Sequence, residues 1–549
     1  MCGTGASTLQ PSKLMTIVLH PNMNHRRLIE IVGSFLLGGG CVAFAYELVE
    51  SIDFGVGSGA GTSLVGGETT PAAQEAEGGG AESTSQAHVQ DGPVEDEVRP
   101  AYARSNEEGT YSAYPPIFDP PPQLAQGGTS DYPLHGLVVT SGIFVRERAD
   151  KESRRLGMMR QGARMRVAAD KVFGGGCSGG WRKLSTGGFM CGGAGITVAS
   201  TPPEDGLITS RAPDVDSPLP FEYWRVSHDA TPFFYRLPSF AEQERADNAG
   251  AQWLESHGRA PMPTRVADRP GEVPAVVKEY LNASYYVTVA GEHVKSQRRF
   301  LRTNRGIYAR KYQLQQAEGS SFRGQVVSKA SPLPKYFVRR SLGFERRESE
   351  GSDILLAAGV TPERRSVASF DRRVRIGNYD YFETADGMLL RVYAVSEVRK
   401  VERPSGVGAA ERWVHVDLSE QTLTAYQGDE AMLATLVSTG REPGMTPLGV
   451  FRVQSKFITT SMRDQPPEED AYSIEDVPWT QYFDKNIALH GAFWHSGFGI
   501  VRSHGCVNLS PSDARWLFGF LASAVPEDWH AVMPGAGDAA QGSVVYVTE

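Results

Sequence analysis

Cysteine is scarce in this chain: five residues in 549. None is spaced Cys-x-x-Cys, and no His-Glu-x-x-His occurs, so the common zinc patterns are missing. The dipeptide Gly-Lys is absent altogether, which excludes a Walker A loop. Positive charge is in deficit: the net charge of −9 argues against nucleic acid as the main partner. Gly174 to Gly179 matches Gly-x-Gly-x-x-Gly, but it leads into Trp181 and a strand pattern, not a phosphate-binding helix. Nothing in the sequence calls for a cofactor or a metal.

The few cysteines are informative by position. Cys2 and Cys41 fall in an N-terminal segment that export would remove. Cys177 and Cys191 flank one apparent hairpin and can pair across it. Closing a loop of about 15 residues is worth about 3 kcal/mol in the chain-entropy picture. Cys506 is then the odd thiol, free as a nucleophile must be.

At this length, two to four domains are expected. Met23 to Arg27 is a basic start, and Ile31 to Ala45 is an apolar run of signal-peptide length. Residues 1–50 therefore read as a cleaved signal, a membrane anchor or a lipoprotein start at Cys41. All three place the rest outside the cytoplasm, in the periplasm or cell envelope. Residues 51–131 are poor in large apolar side chains and read as a disordered linker. Residues 134–200 show short strand candidates between glycine turns, at Leu137–Val139, Ile143–Val145, Met165–Val167, Trp181–Leu184 and Phe189–Met190. Ser239 with Glu242 forms a capping box that opens a helix running to about His257. Residues 205–400 are otherwise mixed, with strands expected at Phe221–Val226, Ser284–Val289 and Arg372–Ile376. The basic cluster from Arg298 to Lys311 reads as a solvated face, with contact to an anionic wall polymer as the other reading. A short linker leads to residues 411–549. Their strands at Trp413–Leu418, Thr422–Tyr426 and Met432–Val437 predict an antiparallel meander, with a turn at Ser438–Gly440.

The chemistry concentrates between Ile487 and Phe520. His490-Gly491-Ala492-Phe493-Trp494-His495 is followed by Ser503-His504-Gly505-Cys506-Val507-Asn508. A cysteine attacks as thiolate, and a nearby imidazole is the usual acceptor of its proton. Gly505 lets the backbone approach a substrate, as an oxyanion hole of main-chain N–H groups requires. Ser510, Pro511 and Asp513 mark a helix start. Cys506 is thus expected on a loop ahead of a helix N-terminus, where partial positive charge favours an anion. Trp479 and Tyr482 lie in a loop-like stretch before His490 and suit either a groove or the core. Trp516, Leu517 and Phe518 read as core.

His490-Gly491 with Ser503 to Asn508 resembles the signature of L,D-transpeptidases of the YkuD type. Thr446-Pro447-Leu448-Gly449-Val450-Phe451 resembles that family's Thr-Pro-x-Gly-x-Phe segment. Residues 134–200 resemble a bacterial SH3-like domain, and two further units of that kind are candidates within 205–400. The resemblance implies a mainly β chain: small SH3-like β-barrels, then a C-terminal β-sandwich with a few helices. It assigns the nucleophile to Cys506 and the proton acceptor and donor to His490. Gly505, His504 and Asn508 take oxyanion or orienting places, and Tyr482, Trp494 and Ser503 are candidate substrate contacts. Which imidazole faces the thiol stays open between His490 and His495. The implied substrates are peptidoglycan stem peptides, cross-linked through a cysteine acyl-enzyme. L,D-carboxypeptidase, protein-to-wall anchoring and non-catalytic wall-binding readings remain beside it. Oligomeric state is not legible.

Overall fold

The computed structural model describes residues 131–204, 206, 208, 210–463, 472–535 and 541–549. The export segment and nearly all of the linker lie outside these residues. The described residues fall within one compact unit, Ser105–Glu549. They are mainly β, with two long α-helices at Phe240–His257 and Pro511–Phe520. No helix among them is long and apolar enough to cross a membrane.

The C-terminal part is a sandwich of two sheets. One contains Gln325–Val326, Glu430–Leu436, Thr422–Gln427, Arg412–Asp417, Val544–Thr548 and Gly449–Arg452, in that order. The expected meander at Arg412–Leu436 is present, antiparallel throughout. The other sheet contributes Ser455–Arg463, Ser473–Asp484, Ile487–Gly491 and Val507–Leu509. Val414, Leu423, Leu433 and Val545 of the first share a core with Phe483, Leu489 and Val507 of the second and Leu517 of the helix. Burying each large apolar side chain contributes roughly 1.5–3 kcal/mol. The helix begins as its sequence dictates: Ser510 Oγ accepts from the Asp513 N–H at 3.2 Å, with Pro511 in the first turn. Trp516, Leu517 and Phe518 are buried, as their apolar spacing requires. Asp513 is fully buried, where it accepts from Thr435 Oγ1 at 2.6 Å and from the Gly324 N–H at 2.9 Å.

The expected strands of residues 134–200 form, together with two more at Arg155–Arg160 and Ile196–Ala199. Cys177 and Cys191 are disulfide-bonded, and Cys506 is free. The small core of this unit, with Val138, Val145, Met159, Val167 and Met190, is completed from outside by Trp529. Trp529 Nε1 donates to Thr186 Oγ1 at 3.0 Å. Strand Arg155–Arg160 pairs with Ala531–Val532, so the C-terminal chain is part of this unit's sheet. Gly157 is required at that seam: a Cβ there would lie 2.1 Å from the Ala531 carbonyl oxygen.

Residues 222–317 make a second β unit carrying helix Phe240–His257, whose capping box has both arms in place. The basic cluster here is solvated only in part: Arg299 is exposed, whereas Arg298 is not. Arg298 is buried with its guanidinium 4.0 Å from the Phe240 ring centroid. Arg305 pairs with Glu475 at 2.5 Å and with Glu279. Strands within 335–398 form two further small sheets.

The first and second β units and the sandwich meet on strand Ser473–Asp484. The Asp476 carboxylate accepts from Arg160 Nη1 at 2.6 Å, Thr459 Oγ1 at 3.0 Å and Thr288 Oγ1 at 2.7 Å. Its carbonyl accepts from the Tyr223 hydroxyl at 2.7 Å. Burial alone would raise its pKa, but the charge and hydrogen bond of Arg160, with Thr288, hold it below the usual carboxylate range. A depressed folded pKa adds stability above the unfolded value of about 3.9, lost as pH falls through the folded value. Asp476→Ala should therefore destabilise the protein by about 3–5 kcal/mol near neutral pH, because Arg160 is left without its counter-charge. Melting temperatures check this: the gap to wild type should persist at pH 5–8 and narrow only below about pH 4.

Candidate active site

Strands Ile487–Gly491 and Val507–Leu509 run parallel, with His490 in register with Asn508. Parallel neighbours need a long crossover, and here it is residues 492–506, which carry His495 and end at Cys506. Cys506 immediately precedes the second strand. A three-residue strand and Ser510 separate it from the helix. The thiol is therefore not at the helix N-terminus, contrary to the sequence expectation.

The loop before Cys506 is fixed by its own hydroxyl and by a neighbour. Ser503 Oγ donates to the Cys506 carbonyl at 2.5 Å and accepts from the Gly505 N–H at 3.0 Å. Thr446 Oγ1 donates to the Gly505 carbonyl at 2.7 Å and accepts from the Gly440 N–H at 2.9 Å. This is the physical role of the Thr-Pro segment. Ser438 and Gly440 are not simply a turn: they bridge to Asn508 and Ser503. Gly505 has φ +132°, and a Cβ would lie 2.6 Å from the Met445 carbonyl oxygen. Glycine is thus obligatory there for steric reasons. Its N–H is engaged by Ser503, so it does not stand open as the oxyanion donor expected from the sequence.

His490 is buried. Its Nδ1 lies 3.2 Å from the Gly491 carbonyl oxygen, which can only accept, so the proton sits on Nδ1 and Nε2 is the basic nitrogen. Burial pushes its pKa down to about 4. The Trp494 ring stacks near it, centroids 5.7 Å apart. Cys506 is half-buried. Burial pushes its thiol up to about 11, against a backbone hydrogen bond from Ala488. The Sγ–H is directed at the Asn486 carbonyl, 3.7 Å away. At neutral pH both groups are thus uncharged.

Tyr482 lies on strand Ser473–Asp484, in register with Ala488, not in a loop. Its phenol is pushed up by burial and by the neighbouring Cys506. Trp479, on the same strand, is core: it is buried, and its Nε1 donates to the Pro218 carbonyl at 2.7 Å. His504 is exposed on a flank, stacked on Tyr472 at 5.4 Å and beside the Arg441 guanidinium. His495 lies beside Asn508, 2.9 Å from its amide, and burial pushes its pKa down to about 3. The carbonyls of Gly491 and Asn486 are site groups that side-chain patterns do not reveal. The His490-Gly491 dipeptide was the only sign of the first. Among the described residues no cluster of His, Cys, Asp and Glu is arranged to hold a metal.

The arrangement is a free, half-buried thiol on a β scaffold, with a buried neutral imidazole on the strand beside it. That is the class of site used for acyl transfer to cysteine. Residues 411–547 match the family model described as the YkuD L,D-transpeptidase catalytic domain, and the chain carries that domain there. L,D-transpeptidase 1 of Mycobacterium tuberculosis (strain ATCC 25618 / H37Rv) is 29% identical over 108 residues, 18% of this chain and 43% of that protein. L,D-transpeptidase 2 of Mycobacterium tuberculosis (strain CDC 1551 / Oshkosh) is 28% identical over 109 residues, 19% and 27%. The chain thus spans less than half the length of these curated relatives. Among solved structures, the catalytic domain of the E. faecium L,D-transpeptidase is 24% identical, covering 25% of this chain and 98% of that one, TM-score 0.20. An L,D-transpeptidase from Mycobacterium smegmatis is 16% identical, covering 48% and 99%, TM-score 0.21.

The resting state has a measurable signature. Alkylation of Cys506 by iodoacetamide should rise about tenfold per pH unit from pH 6 to 9, without levelling off, because only the thiolate reacts. A plateau between pH 5 and 8 would instead mark a preformed thiolate–imidazolium pair. Gly505→Ala should raise this reactivity near neutral pH, because displacing the loop relieves the burial that disfavours the thiolate.

Proposed function

We propose that this protein is an exported L,D-transpeptidase acting on peptidoglycan stem peptides, with Cys506 as nucleophile and His490 as base and acid. The observation that carries this is the free Cys506 thiol next to the strand of His490, whose Nε2 is the available basic nitrogen. The family match over residues 411–547 supports the substrate class. The Cys177–Cys191 disulfide supports an oxidising compartment, since such bonds rarely persist in the cytosol. The strand units before residue 411 are accessory domains in this reading.

The chemistry follows from the neutral pair. As Sγ attacks the carbonyl of the third residue of a donor stem, His490 Nε2 takes the thiol proton. Collapse of the tetrahedral adduct expels the terminal D-alanine, whose nitrogen receives that proton, leaving a thioester on Cys506. An acceptor amine then attacks the thioester carbonyl and gives its proton to His490. The sulfur leaves and is reprotonated. One amide is broken and one is made, so no ATP is required. Transfer of the proton during attack suits groups whose pKa values burial has moved apart, because neither has to carry a charge at rest. Tyr482, near the thiol, and Trp494, near the base, are the substrate contacts in this reading, and Ser503 serves by holding the loop. His504, exposed on the flank, contributes no proton transfer.

The test is mass spectrometry of products from the purified protein and disaccharide tetrapeptides. A dimer lighter than two substrates by one free alanine is the expected product. Tripeptide monomer alone would identify the hydrolytic carboxypeptidase, and unchanged substrate a non-catalytic wall-binding protein. Cys506→Ala should abolish product, and His490→Ala should lower the rate by about 10²–10⁴, the range for loss of a positioned acid–base. His495→Ala should have a much smaller effect.

A further inference from the structure

The basic stretch of the second β unit gathers three guanidiniums on one face of its sheet. Arg298, Phe300 and Arg302 occupy every second position of strand Arg298–Thr303, and Phe300 is in register with Arg310 on strand Tyr308–Arg310. Residues two apart on a strand share a face, as do partners in register. Arg310 is thus the diagonal neighbour of both Arg298 and Arg302, about 7–8 Å from each and within reach of long side chains. The guanidiniums of Arg298 and Arg310 each lie 5.4 Å from the Phe300 ring centroid. His293, opposite Phe300 on strand Tyr286–Lys295, is pushed below its usual pKa by burial and by the Arg302 charge. All three cations therefore stand around one aromatic ring.

These charges are not neutralised within the described residues. Arg299 and Lys311 of the same stretch pair with Glu292, and Arg305 pairs with Glu279 and Glu475. Arg298, Arg302 and Arg310 form no ion pair there, and the Nε–H of each is buried without an acceptor. Arg298 and Arg310 instead share a neutral oxygen: Nη1 of each donates to Gln243 Oε1 at 2.8 Å. Gln243 Nε2 donates to Asp247 Oδ2 at 3.2 Å, which fixes the sense of its amide. Asp247 thus meets Gln243 rather than a guanidinium, and burial pushes its pKa up against the charge of Arg310. Arg298 is 5% exposed, and burial with the charge of Arg310 pushes its pKa down. Its Nη groups also donate to the Ser239 and Pro238 carbonyls, at 3.3 and 2.9 Å. Arg302 and Arg310 are half-buried, so the cluster opens to solvent on their side. The Arg302 side chain makes no hydrogen bond to any described residue.

Like charges held together without a counter-charge repel, and a bound anion removes that repulsion. We propose that Arg298, Arg302 and Arg310 bind an anion of the phosphate-ester class. Arg302 and Arg310 present planar forks of N–H donors, which suit paired phosphate oxygens. Arg298, fixed behind them, supplies charge, and Gln243 holds the spacing between Arg298 and Arg310. The several oxygens of one phosphate can engage both forks at once, whereas a carboxylate is filled by one. The site lies in the second β unit, contains no residue of the Cys506 site, and stands whatever the reaction there.

The experiment titrates the full chain with inorganic phosphate at low salt, by calorimetry and by nitrogen-15 NMR of the arginine Nε–H groups. Phosphate should bind one to one, and the Nε–H signals of Arg298, Arg302 and Arg310 should shift. Arg302→Gln and Arg310→Gln should each weaken binding about tenfold or more, as loss of charged hydrogen-bond donors does. Arg302→Lys, which keeps the charge but not the fork, should also weaken it. Arg299→Gln, in the same stretch but paired with Glu292, should leave it unchanged. Gln243→Glu places a carboxylate between Arg298 and Arg310. It should weaken phosphate binding about tenfold or more and raise the melting temperature, because the internal anion takes the ligand's place. A soluble glycerophosphate oligomer and phosphatidylglycerol vesicles, titrated in parallel, distinguish a polymer from a lipid headgroup as source. Whichever binds tighter than free phosphate carries the ester, and neither doing so identifies a small ester. Phosphate binding no tighter than chloride, or lost equally in Arg299→Gln, overturns the proposal. So does Gln243→Glu with wild-type affinity.

Discussion

The buried carboxylate of Asp476 is the constraint on which the rest of this structure depends. It lies on the strand that leads to the site, and its partners come from three parts of the chain: Arg160, Thr288 and Thr459. A carboxylate out of water is tolerated only when its lone pairs are satisfied and its charge is met. That requirement ties the first and second β units to the C-terminal sandwich. Next to it, Glu475 is met by Arg305, again from the second unit. The backbone of Asp476 is left-handed at φ +54°, a conformation that aspartate accepts better than most residues. The first and second units are thus fastened to the C-terminal sandwich by ion pairs and by shared sheet, not strung along it.

The same fastening recurs in apolar form. Trp529, far along the chain, fills the core of the unit built from residues 134–199. Tyr223 and Tyr286 of the second unit pack on Phe493, with ring centroids 4.0 and 5.4 Å away. Phe493 is adjacent to Trp494, whose ring stacks near His490. The third group of strands reaches the crossover too: Arg365 Nη1 donates to the Ser496 carbonyl at 2.6 Å. The crossover is irregular backbone, and irregular backbone keeps one shape only where neighbours specify it. Here packing and hydrogen bonds from residues before 411 supply that specification.

Burial also sets the chemistry. Desolvation penalises the charged forms of both Cys506 and His490, moving one up and the other down. A resting ion pair between them is thereby disfavoured. The hydrogen bond from His490 to the Gly491 carbonyl selects which ring nitrogen carries the proton.

Much was legible in the sequence because it depends on near neighbours along the chain. The capping box at Ser239 and Glu242, the helix start at Ser510 and Pro511, and the hairpin disulfide are short-range features, and each is present. The thiol and histidine motif likewise lies within one short stretch of chain. The burial of Arg298 and the pairing of Arg305 were not legible, because their partners lie outside the basic cluster that was visible. Trp479 and Tyr482 looked loop-like because Pro478 and polar residues interrupt the β pattern, yet both lie on strand Ser473–Asp484: Tyr482 is paired with Ser455 and Ala488, and Trp479 sits at a left-handed kink with φ +57°. By itself the sequence determined the residue types of the site, its local turns and caps, and the mainly β class. Only the tertiary structure decided which N–H groups are spent, which imidazole nitrogen carries a proton and how far each pKa moves. Those depend on water exclusion and on partners brought together from distant parts of the chain, which no local pattern encodes.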